Sequence, residues 1–238
     1  MCTVTYFPLG NNDFIFTSNR DESPKRKTFL PKEYIENGIK MVFPKDKKAG
    51  GTWVGLSEKN RLVCLLNGGY RYHLTKGLYK MSRGLIVKKI LSVVNPVKYI
   101  KNFDLDEIEP FTIVLIDWSN GLLAYELVWD GKVKHIQELP NSPKIWSSST
   151  LYTDEMKEFR KKWFIDFIDK NVKFHQQKII DFHSDDTRGE LCFSVKMKRP
   201  FVETVSITSI KKESDKVNLT YLDFVNKKEV FLTGIFKK

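Results

Sequence analysis

The apolar positions of this chain fall mostly into short β-rich runs, with helical spacing in a few stretches between them. Thr3-Val4-Thr5-Tyr6-Phe7 and Phe14-Ile15-Phe16-Thr17 flank Pro8-Leu9-Gly10-Asn11-Asn12-Asp13, which predicts a hairpin of strands over 2–8 and 13–18. Further strands are predicted over 52–57 and 60–66. Phe111 to Trp118 and Leu122 to Trp129 surround Ser119-Asn120-Gly121, and Asn-Gly is a strong turn signal, so a second hairpin is expected there, with a third strand over 132–138. Leu78, Met81, Leu85, Ile86, Ile90 and Val93 recur near helical spacing and predict a helix from Leu78 to Val93, with Ser82 inside it and Pro96 ending or redirecting it. Thr153 ahead of Asp154, Glu155 and Met156 reads as an N-cap with an acidic first turn, opening a helix to about Ile168. A second helix is expected over 172–182, and Thr204–Ile210, Val217–Val225 and Glu229–Thr233 return to strand. Strands, then helices, then strands is the order of an α+β fold with two stacked, mainly antiparallel sheets flanked by helices.

Composition adds little to that picture but excludes several classes. The 238 residues, 41% hydrophobic, can bury a full core, and with no linker-like stretch or repeat a single domain over 1–238 is expected. The three cysteines, at 2, 64 and 192, are widely spaced without a CxxC, so neither a disulfide framework nor a zinc site is signalled, and a reducing compartment fits best. Cys64 and Cys192 sit in apolar surroundings and read as small core residues. No signal-like start and no apolar run near the length of a membrane span is present, which predicts a cytoplasmic protein. The net charge of +11 comes from lysines in short clusters spread over the chain, not in one stripe with interleaved aromatics, so specific nucleic-acid binding is not expected. Such a surface still favours anionic small ligands. The four histidines show no paired metal spacing, and no metal is predicted.

The candidate chemistry begins at Cys2. Removal of Met1 leaves a thiol and a free α-amine on one residue, and an amine with a pKa of about 7.7–8.0 can take the thiol proton near neutral pH. The tetrad Asn19-Arg20-Asp21-Glu22 follows the second hairpin strand, so the hairpin returns it toward Cys2. Arg20 can hold a thiolate by charge, Asp21 can accept from the α-ammonium, and Asn19 or Glu22 can orient either. Asn67-Gly68-Gly69-Tyr70-Arg71 forms a turn whose glycines allow close approach of the backbone to a ligand, with Tyr70 and Arg71 at the mouth of a pocket that Trp53 and Trp146 can also line.

These blocks resemble the NRDE family, also called the Transport and Golgi organisation protein 2 family: Met1-Cys2-Thr3, the Asn19-to-Glu22 tetrad, Ala49-Gly50-Gly51-Thr52-Trp53 with Gly55, Arg61 to Asn67, Ser82-Arg83-Gly84-Leu85 and Trp146-Ser147-Ser148-Ser149-Thr150-Leu151. More remotely, the start is similar to the cysteine N-terminal nucleophile (Ntn) hydrolases that cleave bile-salt amides and penicillin V. That similarity implies a four-layer αββα sandwich, a small-molecule substrate with a linear amide bond, and an oxyanion-binding role for Asn67. It also locates two departures. Ser148 stands where those enzymes carry a second asparagine, and a hydroxyl is shorter than an amide. Their late arginine has no clear counterpart, Arg199 being nearest. The hydrolase reading needs no cofactor. The alternative is a ligand carrier, for haem or for lipid or acyl-CoA, in which a Cys2 thiolate serves as a haem ligand.

Overall fold

A computed structural model describes residues 3–236. In chain order its strands are β1 (Thr3–Gly10), β2 (Asp13–Glu22), β3 (Thr28–Glu36), β4 (Ile39–Asp46), β5 (Val54–Ser57) and β6 (Arg61–Asn67). Helices α1 (Arg83–Ser92) and α2 (Pro96–Asn102) follow, then β7 (Phe111–Asp117), β8 (Leu123–Trp129), β9 (Lys134–Glu138) and β10 (Lys144–Ser147). The chain closes with α3 (Asp154–Asp169), α4 (Gln176–His183), β11 (Glu203–Glu213), β12 (Lys216–Asp223) and β13 (Lys228–Leu232). It forms two compact units, one of the chain up to Lys25 and from Ser142 onward, the other of Arg26–Asn141.

The first unit is a six-stranded antiparallel sheet in the order β10-β1-β2-β11-β12-β13. The expected β1–β2 hairpin is present, and Asn11 and Asn12 take the left-handed backbone its tight turn requires, with φ of 51° and 64°. One sheet face packs on the helices: Phe7 and Ile15 join Phe164, Phe167, Ile179, Phe182 and Val195 in an apolar cluster. The opposite face of β1 and β2, with Val4, Tyr6, Phe14, Phe16 and Ser18, is buried as well. Strand β2 runs further than its apolar run suggests. The tetrad Asn19–Glu22 continues it, because β11 supplies ladder partners at Ile207, Ser206, Thr204 and Glu203. The N-cap expected at Thr153 accepts from the Met156 N–H at 3.3 Å, while α4 begins later than expected, at Gln176.

The second unit is a seven-stranded antiparallel sheet in the order β3-β4-β5-β6-β7-β8-β9, with α1 and α2 packed on Met41, Phe43, Val63, Leu65, Ile113 and Leu127. The hairpin expected over 111–129 and the strand after it are present. Hairpin β3–β4 is not foreseen by the apolar pattern, although its turn is Asn37-Gly38 with φ of 52° and 74° at the two positions. Helix α1 is shorter than expected. Residues 78–82 lie outside it, Leu78 is 97% exposed, and Ser82 is the extended residue before the helix instead of one within it. The helix start is fixed by close packing: a Cβ on Gly51 would lie 2.6 Å from the carbonyl carbon of Gly84, and the Thr52 N–H donates to the Gly84 carbonyl at 3.2 Å. Pro96 redirects the chain as the first residue of α2, where the Asn95 side chain caps the Lys98 N–H at 2.9 Å. Cys64 is buried, as expected, whereas Cys192 lies in a turn and is half-exposed, its Sγ 3.6 Å from the Glu190 carboxylate.

Candidate functional site

Thr3 opens β1 and is flanked on both sides, by Asn19 of β2 and by Ser147 of β10. Residues 19 and 21 share one face of β2 with Thr3 and Thr5, and that face meets α3 and α4. There Asn19, fully buried, donates from Nδ2 to the carbonyls of His183 and Val195, both at 2.9 Å. Its Oδ1 must then accept, and it faces His183 Nδ1 at 2.6 Å. His183 is held neutral, its pKa pushed down to about 3 by burial and by the Arg160 charge. Nδ1 therefore carries the single ring proton, and Nε2 accepts from the Thr5 hydroxyl at 2.8 Å. Asn19 thus fastens the end of α4 to the strand through two bonds, and the segment of Val195 through a third.

Asp21 is buried on the same face. Its two carboxylate oxygens accept from hydroxyls at distant sequence positions: Tyr152 at 2.7 Å and Thr204 at 2.6 Å. Thr204 reaches it because β11 bulges between Thr204 and Ser206, opposite Asp21 and Arg20. Arg20 points to the other face, in a row across three strands with Ser206 and Asp223. Arg20 is itself buried, and its charge opposes the burial that pushes the Tyr221 phenol up to about 12. Glu22, half-buried, ends the strand and accepts from the Ser23 N–H at 2.9 Å.

A second buried cation sits close by. Arg160 occupies the apolar stripe of α3 one turn before Phe164 and is fully buried. Its Nε donates to the Phe193 carbonyl at 3.0 Å, Nη1 to the Thr3 and Ser147 hydroxyls, and Nη2 to the Ser194 and Val195 carbonyls. Every partner is a neutral oxygen, and the five bonds use all five N–H groups of the guanidinium. Through Thr3 and Ser147 they tie helix, first strand and β10 together. Sequence reasoning missed Arg160, Tyr152 and Thr204. The available signal for Arg160 was a charge at a core position of an amphipathic helix.

Trp146 and Ser148 lie beside this cluster. Trp146, opposite Val4 in the ladder, is largely buried with Lys144 Nζ 5.0 Å from the ring centroid. Ser148 is buried, its Oγ 3.0 Å from that of Thr150, and its carbonyl accepts from the Tyr152 N–H at 3.1 Å. Arg199 donates to the carbonyls of Cys192 at 2.7 Å and Leu151 at 2.9 Å, so it fixes the segment that carries Tyr152.

The remaining predicted residues belong to the second unit. Asn67 is the last residue of β6, opposite Phe111, and half-buried. Gly68 follows at φ 86°; its N–H donates to the Pro110 carbonyl at 3.0 Å and its carbonyl accepts from the Thr112 hydroxyl at 3.0 Å. Gly69 is tightly packed, since a Cβ would lie 3.0 Å from the Trp129 carbonyl oxygen. Tyr70 is exposed and meets the His135 ring edge-on at 5.2 Å; burial, Glu126 and Asp130 push its phenol pKa up. Arg71 is exposed, and Trp53 is buried with its carbonyl accepting from the Leu65 N–H at 2.7 Å. The structure thus gathers Asn19 to Glu22, Trp146 and Ser148 in one unit, and Trp53 and Asn67 to Arg71 in the other. Cys2 lies outside the described residues.

Residues 1–225 match the family described as Transport and Golgi organisation 2. No curated protein matches the sequence. Among solved structures, a variant of the conjugated bile acid hydrolase from Clostridium perfringens superposes with a TM-score of 0.56 at 11% identity, covering 100% of this chain and 94% of that one. The Caenorhabditis elegans ortholog of N-acylethanolamine-hydrolyzing acid amidase gives a TM-score of 0.61 at 13% identity, covering 88% of this chain and 92% of its own. These likenesses show an α+β fold of the Ntn-hydrolase type, the class expected from the sequence. Among the described residues no helix is long and apolar enough to cross a membrane.

Proposed function

This chain belongs to the Transport and Golgi organisation 2 family, and from that premise we propose that it is an Ntn-type hydrolase or acyltransferase acting on a linear amide or thioester bond of a small molecule. What supports the reading most is the buried Asn19-Arg20-Asp21 row on the strand that pairs with Thr3, the residue after Cys2. Buried acidic and basic side chains are costly to maintain without a task, and here Arg20 and Asp21 directly follow Asn19, the ladder partner of Thr3. Two solved structures of similar fold are a conjugated bile acid hydrolase and an N-acylethanolamine-hydrolyzing acid amidase.

In this reading, loss of Met1 frees the Cys2 α-amine. The amine takes the thiol proton, and the thiolate attacks the carbonyl carbon of the substrate. The carbonyl π electrons move to oxygen, where N–H donors stabilise the negative charge. Collapse of that intermediate expels the leaving amine or thiol, which carries away the proton held by the α-ammonium and leaves an acyl thioester on Cys2. Water, deprotonated by the same amine, attacks the thioester and releases the acid, restoring the thiol. Arg20 favours the thiolate by charge, and Asp21 orients the amine. The lysine-rich surface favours an anionic substrate.

The test offers chromogenic N-acyl amides and acyl thioesters to the wild type and to Cys2→Ala, with intact mass taken at early times. Turnover with a transient acyl adduct on the N-terminal peptide, both lost in Cys2→Ala, is the expected result. Equal turnover by Cys2→Ala would overturn the nucleophile assignment. Absent turnover together with stoichiometric binding of haem or an acyl ligand would move the protein to the carrier class.

A further inference from the structure

We propose that Tyr152 is a positioning residue of this site, fixing the Asp21 carboxylate through which the reactivity of the terminal residue is set; the inference rests on the nucleophile reading above. Tyr152 comes from the turn between β10 and α3, far from β2 in sequence, yet its hydroxyl donates to Asp21 Oδ2 at 2.7 Å with both residues buried. Packing alone does not require that hydroxyl. The ring sits with Met197 among Leu151, Met156, Phe193 and Val202, an apolar wall that a phenylalanine would fill equally.

Two further contacts act on the ring. The Arg160 guanidinium lies 3.7 Å from its centroid, and that of Arg199 lies 5.6 Å away. Both guanidinium groups are hydrogen-bonded to neutral oxygens, so they act on Asp21 through the phenol and not as its ion-pair partners. A cation over an aromatic face draws electron density from the ring and makes its O–H a stronger donor. The carboxylate is then held from both ends, by Tyr152 on Oδ2 and by Thr204 on Oδ1. This sets both its direction and how much of its charge is already spent on hydroxyl donors.

The sign of the effect follows. A carboxylate relieved of one strong donor holds an ammonium more firmly, so the Cys2 amine would deprotonate at higher pH and activate its thiol less at neutrality. The experiment measures the second-order rate of Cys2 modification by iodoacetamide against pH, in the full chain, for wild type, Tyr152→Phe and Thr204→Val, with folding checked by circular dichroism. The expected result is a profile midpoint raised by about 0.5–1 pH unit in Tyr152→Phe, with a several-fold slower reaction at neutral pH, and a change in the same direction in Thr204→Val. A reactive wild type with an unmoved midpoint in a folded Tyr152→Phe would overturn the role and leave the hydrolase reading standing. A wild-type thiol no faster than free cysteine would overturn that reading and this role together.

Discussion

The tetrad Asn19–Glu22 and the block Gly50–Trp53 are both compact in sequence, yet they are held in opposite ways. In the first unit, polar groups from far along the chain converge on one strand face: the His183 ring and carbonyl and the Val195 carbonyl on Asn19, the Tyr152 and Thr204 hydroxyls on Asp21. In the second, backbone meets backbone, with Gly51 against Gly84 so close that neither tolerates a Cβ. The blocks Ala49-to-Trp53 and Ser82-to-Leu85 are therefore two halves of one contact, whose product is the start of α1. A sequence motif can mark a chemical cluster or a steric one. Only the first kind is expected to titrate and to respond to conservative loss of a single polar atom.

The largest effect expected from that contrast is at Arg160. Arg160→Leu keeps the helix stripe apolar but takes the guanidinium donor from the Thr3 and Ser147 hydroxyls and from the Phe193 and Ser194 carbonyls, while the Val195 carbonyl keeps its bond from Asn19. Destabilisation of about 3–5 kcal/mol is expected in urea unfolding. A loss below about 1 kcal/mol would mean that the polar cluster is not held as described. Next is Gly84→Ala, whose Cβ would lie 2.8 Å from the Thr52 carbonyl oxygen. Overpacking of this kind is expected to cost about 2–3 kcal/mol, and by the same amount at every pH, since nothing at that contact ionises. A pH-dependent cost would break the distinction between the two regions.

The effect that is smallest at neutral pH, and grows only on acidification, is the pH slope from His183. Its imidazole stays neutral in the fold down to about 3, against 6.5 for an unhindered histidine. Between those values the unfolded chain binds a proton that the folded chain does not, so stability is fully present above the unfolded value and declines as pH falls through this window. His183→Gln is expected to flatten the slope of unfolding free energy between about pH 4 and pH 6.5 while lowering stability at neutral pH. An unchanged slope would place the titrating group elsewhere.

Much of the fold was legible because local chemistry dictated it. The Asn11-Asn12 turn, the Asn120-Gly121 hairpin and the Thr153 cap each form where their residues require. What escaped was mainly at sheet edges. β3 and β10 are edge strands, one lysine-bearing and partly exposed, the other of four residues, and neither shows the alternation of a half-buried strand. The false start of α1 came from Leu78, an apolar residue at helical spacing that faces outward. At the candidate site, the tetrad was visible as a block but not its partners. Tyr152, Arg160, His183 and Thr204 come to it from more than 130 positions away, and only folding brings them together.

The claim on which the rest depends is that Cys2 is an activated terminal nucleophile beside this cluster. Its most direct test is the intact mass of purified protein before and after a limiting cysteine-directed alkylator, comparing wild type with Cys2→Ala. The expected result is a chain lacking Met1 that takes one alkyl group rapidly at Cys2, with no fast modification in Cys2→Ala. A retained Met1, or a Cys2 that reacts no faster than half-exposed Cys192, would contradict it.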